Sequence, residues 1–155
     1  MKKSGFTVIE LLVTLSILAI VLAIGVPNFK SFIDNGNMVS NANGVIGAFN
    51  YARIEAIKRG STVHLQPKGD GWQSGIIVWA DSRDDSEIKD VIRMWPSFAG
   101  EGTVNSTNSA FAFRATGEVD KSDKLTLCID NSGEQGMQIS ILISGAVIAK
   151  KVGCA

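Results

Sequence analysis

The chain has 155 residues, which is room for one modest domain beside an apolar N-terminal segment. Its 15 Lys and Arg residues balance its 15 Asp and Glu residues, so no global attraction to nucleic acid follows, although a local basic patch is not excluded. The cysteines form no CxxC pair and there is a single histidine, which argues against a zinc site or a CxxC redox centre.

Residues 1–26 carry two lysines and then a long apolar run that starts at Phe6. Residues 11–26 contain no charged side chain, and the run is long enough to cross a bilayer as a helix. We therefore predict a transmembrane helix over residues 6–27. Its acid, Glu10, is unusual, because an ionised carboxylate at the bilayer centre costs roughly 2.5–3.5 kcal/mol. Such a residue is expected to have a partner.

The sequence MKKSG followed by FTVIE resembles the leader and mature start of a type IV prepilin or pseudopilin. The resemblance implies that residues 1–5 are a leader, that prepilin peptidase cleaves between Gly5 and Phe6, and that it methylates the new amine of Phe6. It also implies a partner for Glu10: in a filament its carboxylate neutralises the amine of a neighbouring subunit, because a buried charge is tolerable only when paired. The pair would then set the register of assembly.

Two other interpretations of the N-terminus stay open. A secretory signal peptide also has basic residues before an apolar core, and Ala23-Ile24-Gly25 is a passable cleavage site. Pro27 just after that cut and Glu10 inside the core both disfavour it. A plain signal anchor explains everything except the register of Gly5, Phe6 and Glu10.

Helical periodicity continues beyond the apolar run. Apolar residues recur at spacings of three, four and seven, at Phe29, Phe32, Ile33, Val39, Ala42, Ile46, Phe49 and Ala56. We predict one long helix from about Phe6 to Arg59, with Gly60 as its C-cap. Pro27 is expected to kink it or to melt one turn. The first half would lie in lipid or in a filament core, and the second would pack on a globular head formed by residues 28–155.

Beyond Gly60 the pattern changes to short strands separated by turn-forming residues. We predict seven strands, at residues 62–66, 75–80, 91–95, 110–114, 124–129, 137–143 and 146–152. Residues 100–109, rich in Gly, Ser, Thr and Asn, are predicted to form a mobile surface loop. The expected fold class is α+β, a long N-terminal helix packed against an antiparallel β-sheet head.

Three motifs of the head resemble the GspH/FimT branch of pilin-like proteins. They are YARIEAIKRG at residues 51–60, GWQSGIIVWAD at 71–81 and FRATG at 113–117. That branch includes minor pilins of type IV pili, a pseudopilin of the type II secretion system and subunits implicated in DNA uptake. The resemblance implies a pilin-like fold, with a single-pass anchor in the bacterial inner membrane, a periplasmic head and a later place in a pilus filament or at its tip.

Cys128 and Cys154 are expected to form a disulfide, because an exported domain with two cysteines usually joins them. Closing a loop of this length would stabilise the fold by roughly 3.5 kcal/mol on the chain-entropy estimate. Two free thiols are the alternative, which a periplasmic location disfavours.

No set of residues forms a recognisable active site, so no enzymatic activity and no cofactor are expected. His64 lies in a strand-like segment without an obvious nucleophile partner. An acidic turn could chelate calcium, but it lacks the spacing and the glycine of an EF-hand, so a solvated loop is favoured; its members are Asp81, Asp84, Asp85 and Glu87. Trp72, Trp79 and Trp95 could stack on bases, but tryptophans in a small head more often pack in its core.

DNA binding is not favoured. By resemblance, DNA-binding members of the branch place arginines in the C-terminal hairpin, around a Gly-Arg step. Here the matching sequence is Ser144-Gly145-Ala146-Val147, which contains no arginine. Lys150 and Lys151 are the candidate DNA contacts, but binding by counterion release needs several cations on one face.

The resemblance therefore predicts a minor pilin of a type IV pilus, a structural subunit that helps to initiate or cap the filament in pilus biogenesis and twitching motility. Its expected partners are other major and minor pilins, prepilin peptidase, the inner membrane and the assembly platform. The alternatives are a DNA-binding pilin for natural transformation and a type II secretion pseudopilin. Pro27 in the anchor favours a pilus subunit over the pseudopilin.

Overall fold

The computed structural model describes residues 7–80, 90–100, 102–129 and 136–154. The chain divides into two compact units, Met1–Asn35 and Gly36–Ala155. Helix α1, Val8–Arg59, confirms the predicted long helix.

The end of α1 and its proline both have clear local causes. At the C-terminus the N–H of Gly60 donates to the carbonyl of Ile57 and the N–H of Ser61 to that of Ala56, both at 3.3 Å, a pattern that satisfies the last carbonyls of a helix. Gly60 has a φ of 63°, which confirms it as the C-cap glycine. The helix continues through Pro27, so of the two outcomes expected there, a kink or a melted turn, the melted turn is not observed. A proline removes only one backbone donor, and the bonds on either side keep the turn helical.

Eight strands are described after α1. They are β1 Val63–Pro67, β2 Ile76–Ala80, β3 Asp90–Trp95, β4 Gly102–Asn105, β5 Phe111–Phe113, β6 Asp123–Ile129, β7 Gly136–Ile141 and β8 Val147–Val152. One sheet has the order β3-β2-β1-β5 and the other the order β4-β6-β7-β8, with antiparallel pairing throughout. A short 3-10 helix, Trp72–Ser74, lies between β1 and β2. The α+β class and all seven predicted strands are confirmed.

The prediction of a loop over residues 100–109 was wrong in its centre. Strand β4 occupies Gly102–Asn105 and pairs with β6 from Ile129 back to Thr126. Its side chains alternate between half-buried and exposed, and Val104 packs against the core. Val104 is the strand's single large apolar residue, and the others are Gly, Thr and Asn. The sequence therefore lacks the visible alternation of apolar and polar residues that indicates a strand.

The core lies between one face of α1 and the inner faces of both sheets. Small residues on this helix face, such as Ala48 and Ala52, are fully buried and allow the strands to approach closely. Phe49 fills the centre, with its ring centroid 5.1 Å from that of Phe111 and 6.2 Å from that of Phe113. Aromatic pairs in such edge-on contact add to the stabilisation from buried area.

Two glycine turns meet on α1 at Arg53. Gly117 and Gly145 have φ angles of 82° and 76°, which glycine adopts without strain. A Cβ at Gly117 would lie 2.8 Å from Cδ1 of Ile57, and a Cβ at Gly145 would overlap the carbonyl oxygen of Gly117. The Cβ at Gly145 would also lie 3.0 Å from Nε of Arg53. Gly145 therefore needs glycine for space as well as for conformation, because the atom in the way belongs to the backbone, whereas at Gly117 the flexible end of Ile57 is in the way and the positive φ decides.

Candidate functional site

The N-terminal part of α1 presents an uncovered apolar surface. It contains a window with a mean hydropathy of 2.7, no residue of which is buried, so by length and composition it is able to cross a membrane. The hydroxyl groups of Thr14 and Ser16 donate to the carbonyls of Leu11 and Leu12, each at 2.8 Å. Because these hydroxyls are bonded within the helix, they bring no unsatisfied donor into an apolar environment.

Glu10 is held by the start of its own helix. Its Oε2 accepts hydrogen bonds from the backbone N–H of Thr7 at 2.9 Å and from the Thr7 hydroxyl at 2.8 Å. In return the N–H of Glu10 donates to the Thr7 hydroxyl at 3.3 Å. This reciprocal arrangement is a capping box, which satisfies free donors at the first turn of a helix. We did not anticipate Thr7, although the T-x-x-E spacing is a recognised signal for this cap.

The predicted processing site lies outside the described residues. Gly5 and Phe6, and therefore the cleavage site and the amine that Glu10 was expected to meet, are not described. Their roles stay predictions. The geometry does show that the carboxylate of Glu10 already has two donors within one chain, so any pairing with a neighbour must exchange or add to these bonds.

The disulfide predicted between Cys128 and Cys154 is confirmed, with the two Cα atoms 5.9 Å apart. Cys128 on β6 is opposite Gly136 on β7, and Gly136 is in turn opposite Val152 on β8. The bond therefore passes over β7 at Gly136, where a Cβ would overlap Sγ of Cys154. The requirement for glycine at this position has no local sequence signal, because it arises only once three strands are paired.

The sheet does not bring the two candidate DNA contacts together. Lys150 is paired with Gln138 and Lys151 with Met137, and neighbouring residues of a strand point to opposite faces of a sheet. Met137 packs against the core, which identifies the face of Lys151 as the inner one, at the edge of the sheet. Two cations on opposite faces do not form a continuous phosphate-binding surface.

The tryptophans pack within the head. Trp72 and Trp79 are buried, and the indole N–H of Trp72 donates to the carbonyl of Asn108 at 3.1 Å. His64 stacks on Trp79, its partner across the β1–β2 pair, with ring centroids 4.1 Å apart. The half-buried ring of Trp95 is covered by the Arg93 guanidinium, 4.8 Å from its centroid. These contacts favour the packing interpretation over a base-stacking platform.

The acidic turn for which calcium binding and a solvated loop were the two interpretations lies outside the described residues; it is formed by Asp81, Asp84, Asp85 and Glu87. Within the described ranges, no group of three or more His, Cys, Asp or Glu side chains is arranged to hold a metal ion.

Asp123 organises the end of β4 and the start of β6. Its Oδ2 accepts hydrogen bonds from the Ser106 hydroxyl at 2.9 Å and from the backbone and side-chain N–H groups of Asn108 at 2.8 and 2.9 Å. Its Oδ1 accepts the N–H of Lys124 at 2.7 Å. Burial by itself raises the pKa of Asp123, but these hydrogen bonds outweigh it and lower the pKa below the ordinary value of 3.8.

Glu55 is the buried charge of α1. The guanidinium of Arg59 donates from Nε to Glu55 Oε2 at 2.9 Å, one helical turn away, and lowers the pKa of that carboxyl below 4.5 despite its burial. Lys58 lies 3.7 Å from the other carboxylate oxygen. Arg59 also reaches Asp90 of β3 at 3.8 Å, which connects the end of α1 to an edge strand.

Comparison with protein families gives two matches. The model of the type II transport protein GspH matches residues 41–146, which include the second half of α1 and most of the head. The model of the prokaryotic N-terminal methylation motif matches residues 1–26. A search among curated proteins gives no significant match.

Two solved structures are similar to this fold. Both are crystal structures of the type IV minor pilin FimU from Pseudomonas aeruginosa, in two crystal forms. The first has a TM-score of 0.68 at 20% identity and covers 77% of this chain and 92% of that chain. The second has a TM-score of 0.63 at 20% identity and covers 72% and 90%. At this identity the likeness shows the fold alone, which confirms the expected pilin-like architecture.

Proposed function

Because this chain belongs to the GspH family, we propose that it is a minor pilin of a type IV pilus, a structural and non-catalytic subunit that helps to initiate or cap filament assembly. The observation that carries this proposal is the combination of the methylation motif, an uncovered apolar helix and the pilin-like head in one chain. A shared fold with a protein described as a type IV minor pilin supports a type IV pilus, rather than a secretion system, as the assembly that this subunit joins.

The proposed life cycle begins in the bacterial inner membrane. Prepilin peptidase removes residues 1–5 and methylates Phe6, and the apolar helix keeps the subunit in the bilayer with its head in the periplasm. The assembly platform then moves the subunit into the filament or its tip, where other major and minor pilins cover the same apolar surface. The helix thus exchanges one apolar environment for another, so extraction does not expose it to water.

Glu10 has a defined part in this exchange. In the membrane its carboxylate keeps the two donors of Thr7, which reduces the cost of an isolated charge. In the filament the methylated amine of a neighbouring subunit becomes its partner, which adds an ion pair that only the correct register supplies.

A type II secretion pseudopilin is the second candidate, because the matching family model is itself described as a type II transport protein. A DNA-uptake subunit has less support, since Lys150 and Lys151 are on opposite faces of the sheet.

A clean deletion compared with a complemented strain tests the proposal. We expect the deletion to reduce the pili sheared from the cell surface and to impair twitching, with secretion through the type II system unchanged. Normal pili with defective secretion would identify the pseudopilin instead. Normal pili and normal secretion would remove both assignments, and uptake of labelled DNA would be measured next.

A further inference from the structure

The exposed apolar side chains of the head are concentrated in one place. Within the described part of the unit Gly36–Ala155, five of the eight exposed large apolar residues surround the two glycine turns at Arg53; we call them the aliphatic patch, and they are Ile54, Ile57, Leu142, Ile143 and Ile148. Their exposed fractions run from 42% to 60%, although each is an aliphatic residue of a kind usually buried.

The elements that carry the patch are in contact with one another at the two glycine turns. Ile54 and Ile57 are neighbours on the surface of α1, being three residues apart. Cδ1 of Ile57 lies against Gly117, whose carbonyl oxygen contacts Gly145. The turn that ends at Gly145 begins at Leu142, since the N–H of Gly145 donates to the Leu142 carbonyl at 2.8 Å.

The β7–β8 hairpin extends the patch on the outer face of its sheet. Ile148 pairs with Ser140, so Leu142, two residues after Ser140, is a diagonal neighbour of Ile148 on the same face. Ile143 joins this hairpin to the adjacent turn, because its carbonyl accepts the N–H of Val119 at 3.0 Å. Exposed aliphatic side chains gathered around one pair of turns in this way are typical of a protein-binding site.

The charges of the patch indicate the kind of protein that it fits. Arg53 is half-buried between the two turns, its Nε is fully buried without an acceptor, and no carboxylate of the described residues pairs with it. A second copy of this chain, docked by the same patch, would bring Arg53 towards Arg53. Nucleic acid is disfavoured too, because the patch offers aliphatic side chains where base stacking needs aromatic ones.

We propose that the aliphatic patch docks on the head of a different pilin subunit, whose matching surface carries aliphatic side chains and a carboxylate that pairs with Arg53. This inference rests on the proposed function and names the surface through which the subunit recognises its neighbour. The apolar centre supplies affinity, and the cation selects among neighbours, because like charges at an interface are strongly unfavourable.

Photo-crosslinking in the native strain tests the contact directly. A photoreactive amino acid is placed at Ile54 or Ile143 of the full chain, and at Met94 as a control that is 58% exposed but lies on β3, away from the patch. We expect the two patch positions to crosslink to another pilin, identified by mass spectrometry, and Met94 not to do so. Equal products from all three positions, products with a protein that is neither a pilin nor a pseudopilin, or no product would each overturn the proposal.

Polar substitutions in the aliphatic patch test whether the contact is needed for entry into the filament. The double variant Ile54→Ser/Ile143→Ser should be recovered in sheared pili at least about tenfold less than the wild type, since truncation of a few central interface residues carries most of the binding energy. Met94→Ser should be recovered normally. Equal membrane levels and equal unfolding temperatures of the variants would show that folding is intact, and normal recovery of the double variant would overturn the proposal.

The deletion strain separates this inference from the proposed function. If deletion abolishes pili but the double variant enters them normally, the patch has no role in docking and the minor-pilin assignment stands. If deletion leaves pili unchanged, the pilus assignment fails, and the crosslinks decide about the patch alone. Products with a pseudopilin would then support it, and the absence of a pilin-like product would overturn it.

Discussion

Sγ of Cys154 packs over the Cα of Gly136, on a strand that neither cysteine belongs to. The carbonyl oxygen of Leu127 closes the same space, only 2.8 Å from where a Cβ of Gly136 would be. The disulfide, the backbone of β6 and the absence of a side chain on β7 therefore form one packed arrangement.

Gly136→Ala should destabilise the head by about 1–3 kcal/mol, because the added methyl group must displace the disulfide or the strand. Urea unfolding of the full chain in detergent measures this, together with titration of free thiols. Gly153→Ala is the matched control, since a Cβ at Gly153 meets nothing within 4 Å. An unchanged midpoint for Gly136→Ala would contradict the packing described.

Removing the disulfide by the double variant Cys128→Ser/Cys154→Ser should lower the free energy of unfolding by about 2–4 kcal/mol, chiefly by loosening the unfolded chain. A reducing agent added to the wild type should lower it equally and leave the double variant unaffected. If the reducing agent destabilised both proteins alike, the effect would not come from this bond.

Gly44 and Gly145 should respond to alanine with opposite signs. Gly44 lies within α1 and a Cβ there meets nothing within 4 Å, so Gly44→Ala should stabilise the protein by about 0.5–1 kcal/mol. Gly145→Ala adds a Cβ that overlaps the Gly117 carbonyl in a turn with positive φ, so it should cost more than Gly44→Ala gains. Unfolding midpoints of the two variants, measured side by side, check the pair; a stable Gly145→Ala would show that the two turns move apart freely.

The stability of the head should fall in acid, with Asp123 contributing. Its folded pKa is lowered, so its contribution is fully present above the ordinary pKa of 3.8 and is lost as the pH falls below that value towards the folded one. The pKa of Glu55 is also lowered, so its contribution to stability is likewise lost as the pH falls below 4.5. Asp123→Asn should lower the free energy of unfolding by about 1–3 kcal/mol at neutral pH. It should also make that free energy depend less on pH in the acid range. Asp70→Asn, at an exposed loop position, is the control, and an unaltered acid curve in Asp123→Asn would contradict the assignment.

Glu10→Ala should insert into the membrane normally but be recovered less in sheared filaments, because it removes the carboxylate that we expect to meet a neighbouring amine. Normal recovery of Glu10→Ala in filaments would remove the role assigned to that residue.

Thr7→Val tests the helix cap separately. It removes the hydrogen bonds between the Thr7 hydroxyl and Glu10 and should cost about 1 kcal/mol of helix stability at the N-terminus, while Thr7→Ser should restore that stability.

The elements of this fold were predictable where the sequence repeats its own pattern. The apolar spacing of α1, the C-cap at Gly60 and seven strands all follow from local periodicity and turn residues. Strand β4 was not predictable in this way, because Val104 alone marks its inner face and its pairing with β6 supplies the rest.

The candidate site was predictable only in its local parts. Glu10 stands out as an acid in an apolar run, and Cys128 and Cys154 have no other partner to choose. Gly136 and Arg53 did not stand out, because what they contact comes from strands and turns far away in the sequence. Lys150 and Lys151 illustrate the reverse relationship, since adjacent residues in the sequence lie on opposite faces of the sheet.

The disulfide also has a mechanical consequence. Strand β8 is an edge strand that pairs only with β7 in its sheet, so a pulling force at either of its ends would normally peel it from β7 one backbone hydrogen bond at a time. Cys154 fastens the C-terminal side of β8 across β7 to β6, so β8 cannot peel from that side and several hydrogen bonds must break together. A subunit built in this way is suited to a fibre that carries load.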